Sequence, residues 1–159
     1  MTLTAAESLK DTWVSIFRRR GGDGTYTRLF DNLDASQRTT LFSMFELRES
    51  EVPVIGSVQD SDNWLVLTTE RLVWSIGGER QEVPADAVRD ATADLKQLQR
   101  SDSKLEMRQL QVVTMGGGEY PIDMEPGAPL SGVWNVLKNL GARNRSMNER
   151  VRGQDKADL

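Results

Sequence analysis

WLVLTTERLVW, residues 64–74, places two apolar runs on either side of a short polar turn, so it reads as a β-hairpin folded at Thr69-Glu70. Working outward, Val52, Val54, Gly56 and Val58 predict a strand before it, separated by the turn-like Gln59-Asp60-Ser61-Asp62-Asn63. After it, Gly77-Gly78 turns the chain into a strand at Gln81–Val83 that Pro84 ends. Ala87–Leu95 predicts the next strand, and Leu105–Met115 with Tyr120–Met124 predict a last hairpin around Gly116, Gly117 and Gly118, each expected at positive φ. That makes seven strands.

The flanks read as helix. Thr4 and Glu7 have the spacing of a capping box, Leu9, Trp13, Ile16 and Phe17 share a face, and Arg18, Arg19 and Arg20 sit in the last turn before Gly21-Gly22. Tyr26, Leu29, Phe30 and Leu33 at offsets 0, 3, 4 and 7 predict a second helix. Asp34 and Gln37 repeat the capping spacing and open a third, through Leu41, Met44, Phe45 and Leu47. At the other end Leu130, Val133, Trp134, Leu137 and Leu140 line one face of a closing helix, and residues 142–159 read as a polar, frayed tail. The expected organisation is a helical extension over 1–50, a sheet unit with its helix over 51–141, and the tail.

Leu65-Val66-Leu67-Thr68-Thr69-Glu70-Arg71-Leu72-Val73-Trp74 resembles the recurrent hairpin of pleckstrin-homology (PH) and GRAM-like domains of the bacterial kind: an apolar strand, Thr, two polar residues, Arg, an apolar strand. Trp134 in the final helix is similar to that family's helical Trp. The resemblance covers about residues 51–141 and implies an α+β fold, a seven-stranded antiparallel PH-like barrel capped by a C-terminal helix, here preceded by about three short helices. Trp134 has the size to fill the open end of such a barrel. The chain departs from the phosphoinositide-binding members at the loop between the first two strands. Residues 57–63 hold two acids and no base, so the cations needed to grip clustered phosphates are missing there.

With 159 residues the chain has enough length for a core without staples. It has no Cys, which removes disulfides and thiolate chemistry, and no His, which removes the commonest general acid/base and metal ligand. MTLTAAESLKDTW shows no leader pattern and no apolar run reaches membrane-span length, so the expectation is a cytoplasmic protein. Residues 1–50 carry 7 basic and 7 acidic side chains, 51–127 carry 7 and 14, and 128–159 carry 6 and 3. The acidic sheet region repels nucleic acid and attracts a basic protein.

These features predict a non-catalytic protein-binding module, an adaptor or an inhibitor of immunity type, that binds a basic partner through its acidic surface or a strand edge. Asp60, Asp62, Glu79, Glu82, Asp86 and Asp90 are the candidate contacts. The apolar Val52-Pro53-Val54-Ile55 is the candidate edge for β-augmentation. An alternative is a peripheral membrane or lipid-headgroup adaptor, with Arg18, Arg19 and Arg20 as anion contacts and Arg143, Arg145, Arg150 and Arg152 as a second basic patch. A third reading is an enzyme using carboxylates alone, for which Asp86/Asp90 and Glu79/Glu82 are the pairs. Gly21-Gly22-Asp23-Gly24 and Gly116-Gly117-Gly118 lack the Lys and Ser/Thr of a phosphate loop and read as turns, and Asp60-Ser61-Asp62-Asn63 lacks the Gly and Glu of a calcium loop. No cofactor or metal is implied.

Overall fold

Thr4 opens the first helix as the spacing predicts: its hydroxyl accepts from the Glu7 amide and the Glu7 carboxylate accepts from the Thr4 amide, both at 3.1 Å. In this computed structural model, which describes residues 4–93 and 108–157, helix α1 spans Ala5–Arg20 and buries Trp13 and Phe17. Helix α2, Ala35–Met44, begins with the second capping box, Asp34 with Gln37.

Between them the expected second helix does not form. Residues Thr27–Leu29 make strand β1 and Phe30–Asn32 a single 3-10 turn. The local apolar spacing fits a helix, but distant groups claim the backbone first. The Glu125 carboxylate accepts from the amides of Thr25 (2.5 Å), Tyr26 (3.2 Å) and Thr27 (3.0 Å), and Asp23 accepts from the Leu29 amide at 2.8 Å. A carboxylate that collects three successive amides holds the chain extended, and Glu125 itself is buried.

Among the described residues eight strands lie in two antiparallel sheets. The larger contains β1, β2 (Pro53–Val58), β3 (Trp64–Thr68), β4 (Arg71–Ile76) and β5 (Glu79–Pro84) in that order. The smaller contains β6 (Val88–Ala93), β7 (Gln109–Thr114) and β8 (Glu119–Asp123). This corrects the seven-stranded barrel and the three N-terminal helices expected from the sequence. The eighth strand comes from the segment expected to be helical, and the sheets do not close on each other. Pro84 and a 3-10 turn at Ala85–Ala87 break the ladder between β5 and β6. The expected strand positions Asp94, Leu95 and Leu105–Met107 lie outside the described residues.

Why the hairpin of β3 and β4 reads as two continuous apolar runs is now evident: both of its faces are covered. Leu65, Leu67, Leu72 and Trp74 enter a core with Trp13 and Phe17 of α1, the smaller sheet and the closing helix. Trp64, Val66 and Val73 face the other way, against Phe30, Leu33, Leu41 and Phe45. Residues 1–50 therefore supply a strand and two helices to the same packed unit. The turn of this hairpin needs no glycine, because the Thr68 hydroxyl accepts from the Glu70 and Arg71 amides, both at 3.1 Å. In the β7–β8 turn only Gly117 has positive φ, among the three glycines expected to.

The closing helix α3 runs from Ala128 to Ala157, well beyond Gly141. Leu130, Val133, Val136, Leu137 and Leu140 form its buried face. It crosses α1 where neither backbone carries a side chain: a Cβ on Gly132 would strike the Phe17 ring, and one on Gly21 would strike the α3 backbone. Trp134, expected to plug an opening, is partly buried and instead donates its indole N–H to the Ala91 carbonyl at 2.8 Å.

Candidate protein-binding surface

Strand β5 pairs with β4 on one side and with no strand on the other among the described residues. Its turn, Gly77-Gly78 with φ of 60° and 84°, is the two-residue kind whose twist suits a hairpin. Such a turn closes on the pair Ile76 and Glu79, and antiparallel bonds alternate from there. The N–H and C=O of Arg80 and Glu82 are thereby left pointing outward. Residues 79–82 are all exposed, and only Val83 drops into the core.

The outer face of this edge abuts a groove of about 670 Å³ walled by the segment from Phe42 to Arg48 and by Arg71 and Arg80. Phe42 and Met44, 45% and 41% exposed, are the exposed apolar side chains among its lining residues. Phe42 rests edge-on against Phe30, with centroids 5.8 Å apart, so its position is fixed by packing. Arg80 reaches over from β5, donating to the Met44 carbonyl at 3.0 Å and lying 5.8 Å from the Trp64 ring.

What holds the groove wall is the Arg of the sequence hairpin. Arg71 turns inward, stacks at 4.5 Å on Phe45, and bonds Glu51 through Nε (2.7 Å) and Nη2 (3.1 Å). It also donates to Glu82 at 2.5 Å and to the Glu46 carbonyl at 2.8 Å. Thr68 donates to Glu51 at 2.6 Å, and the Arg48 amide donates to the other carboxylate oxygen at 2.9 Å. Burial alone would raise the Glu51 carboxyl, but the hydrogen bonds from Arg71, the Arg48 amide and Thr68 outweigh it and hold the group below the usual carboxylate range. The Glu51 bond pushes Arg71 further up, against the opposing effect of burial. The network straps residues 45–51 onto β4 and β5.

The six acids singled out in the sequence fall into separate places. Asp60, Asp62 and Glu79 meet at one end of β5, where the Gly78 amide donates to the Asp62 carbonyl at 3.0 Å and the Gly77 amide to the Asn63 side chain at 3.0 Å. Asp60 spends its carboxylate on the turn, accepting from the Asp62 and Asn63 amides, and these bonds hold its pKa below the usual range. Glu82 is engaged by Arg71 and, at 3.4 Å, by Arg48. Asp86 is exposed just beyond the other end of β5. Asp90 stands apart on β6, paired at 3.3 Å with Lys138.

Other sequence candidates are placed differently from expectation. In the Val52–Ile55 stretch only Ile55 has strand partners on both sides, Leu29 and Leu67; β1 does not reach Pro53 or Val54, but the Val54 side chain is buried. Arg18, Arg19 and Arg20 are exposed, and the Arg20 carbonyl accepts from Ser131 at 2.6 Å where α1 meets α3. Arg145 is tied to the Arg89 carbonyl and Arg143 to Asn139. A smaller cleft of about 320 Å³ opens between the sheets beside Tyr26, Trp74 and Arg108. Burial and the nearby Glu125 carboxylate push the Tyr26 phenol up, and Ser57 and Asp123 on its walls are already bonded to Thr27 and Gln109.

Among the described residues no group of three or more Asp or Glu side chains converges as metal ligands do, and no helix is long and apolar enough to cross a membrane. Phe42, Met44 and Arg80 carried no sequence signal of a site. Their apolar and basic character reads as core face and solvated charge until the fold brings them to one rim. No family model, curated protein or solved structure matches the chain, and nothing identifies a PH-like or GRAM-like domain.

Proposed function

We propose that this chain is a non-catalytic protein-binding module that takes up an extended segment of a basic partner along the outer edge of β5. The observation that carries the reading is the exposed run Glu79–Glu82, paired with β4 on one side alone among the described residues, whose outward backbone groups at Arg80 and Glu82 are those a further strand would bond. Acids stand at both ends of that edge, Asp62 and Glu79 at its start and Asp86 after its finish. Charge of this sign speeds association with a basic surface and orients it, while the backbone bonds supply the holding contact. An adaptor and an inhibitor of immunity type would both use such a surface.

Capture from a lysate by the tagged chain, compared with its Arg80→Pro variant, tests the reading. Proline removes an outward N–H without removing a bond to β4, so the fold should survive. The expected result is a basic protein held by the native chain, released at high salt and absent with the variant. Equal capture by both, or recovery of anionic lipid in place of a protein, overturns it.

A further inference from the structure

We infer that the groove beside β5 is the specificity pocket of that edge, and that the segment it accepts is an extended peptide with one large apolar side chain flanked by basic residues. The inference rests on the β-augmentation reading and adds the chemistry of the occupant. A strand bonded to Arg80 and Glu82 alternates its side chains between two faces. Those on the outer face come down where Arg80 and Glu82 themselves point, onto the rim made by Phe42 and Met44. The groove volume of about 670 Å³ accommodates an aromatic or leucine side chain several times over, so the Phe42–Met44 rim rather than the whole space defines the seat. Phe42 and Met44 both line the groove, and a ring and a thioether there favour an apolar or aromatic anchor.

The charges fix the flanks. Arg71 makes four bonds, two to Glu51, one to Glu82 and one to the Glu46 carbonyl, and Arg48 shares Glu82. Arg80 is directed down onto the Met44 carbonyl and the Trp64 ring. Glu79 and Asp86, at the two ends of the edge, pair with no cation among the described residues. A peptide whose central apolar residue sits at the rim therefore carries its lysines or arginines outward, toward those two acids. Preorganisation supports the assignment: the wall is strapped by the buried Arg71 network and Phe42 is braced by Phe30, so no rearrangement is required before an anchor enters.

The test uses the full chain, labelled for NMR, titrated with an end-blocked peptide of alternating threonines carrying a central Phe between two lysines on each side. The expected result is saturable shifts at Phe42, Met44 and Arg80, and binding at least tenfold weaker when the central Phe is replaced by Ser. Met44→Gln, a neutral change at an exposed position, should weaken the Phe peptide at least tenfold and leave the Ser peptide unchanged. If the Phe and Ser peptides bind equally to the native chain and both are lost in Arg80→Pro, the edge is used and the pocket is not, which overturns this inference alone. If neither peptide shifts those residues at millimolar concentration, or if Arg80→Pro binds as the native chain does, the edge reading falls and the pocket with it.

Discussion

Of the four edge strands among the described residues, β5 and β6 have opposite fates. Along β6 and the turn before it, helix α3 covers the backbone: Trp134 donates to the Ala91 carbonyl, Asn144 to those of Ala85 (2.8 Å) and Val88 (2.7 Å), and Arg145 to that of Arg89. Gly141 lets the helix lie close, since a Cβ there would strike the Arg89 carbonyl. Along β5 nothing comparable occurs among the described residues, and the strand instead presents charge. An unpaired edge invites aggregation, and both coverage and charge are recognised remedies. Coverage makes an edge structural. Charge leaves it usable, which is why the functional proposal rests on β5 and not on β6.

The largest expected effect comes from breaking the strap behind the open edge. Arg71→Ala leaves Glu51 charged, buried and unpaired, and should cost about 3–5 kcal/mol in urea denaturation while loosening the wall at Phe45–Glu51. A cost below about 1 kcal/mol would mean that the network does not hold the wall. Next, Asn144→Ala uncovers two carbonyls beside β6 and should cost roughly 1–3 kcal/mol. It should also produce concentration-dependent self-association by sedimentation, because the carbonyls at the start of β6 lose their cover while Trp134 and Arg145 still hold those of Ala91 and Arg89. A variant that remains monomeric and native-like in stability would erase the distinction between the two edges.

Acidity sharpens the same point. The Glu51 carboxyl is held below its ordinary value, so its contribution is present at neutral pH and lost as pH falls through the lowered folded value. Glu51→Gln should be less stable than the native chain at pH 7, with the gap closing below about pH 4.3, the ordinary glutamate value. A gap independent of pH would show that the carboxylate's charge contributes nothing. The smallest expected effect on stability is that of Arg80→Pro, within about 1 kcal/mol by thermal melting, because the position bonds outward. A loss larger than that of Arg80→Ala, which removes the same side-chain bond to the Met44 carbonyl, would mean that the Arg80 N–H already has a partner inside the fold.

Local signals were legible where local physics decides. Both capping boxes, the β3–β4 hairpin and the apolar face of the closing helix all follow from short-range spacing, and each is found where its residues predict. The segment Tyr26–Leu33 was misread because its spacing is equally good for one helical face, whereas Glu125, about a hundred residues away, holds its amides in an extended line. Pro53 suggested an edge strand, and β1 pairs with β2 only from Ile55 onward, so the proline lies where β2 has β3 alone as its strand neighbour, while the rest of β2 is interior. The acids were legible as acids; that Glu82 would be consumed by Arg71, Asp60 by its own turn and Asp90 by Lys138 was not.

By itself the sequence determined the elements whose hydrogen bonds and apolar periods close within a few residues, together with the acidic balance of residues 51–127 and the absence of His and Cys chemistry. Tertiary structure alone decided which strands pair, that two sheets stack without closing, that α3 covers one edge, and that Phe42, Met44 and Arg80 share a rim beside the other. The physical reason is range: a cap or a turn is satisfied by neighbours in the chain, whereas an edge or a groove is defined by which distant groups have, or have not, arrived to cover it.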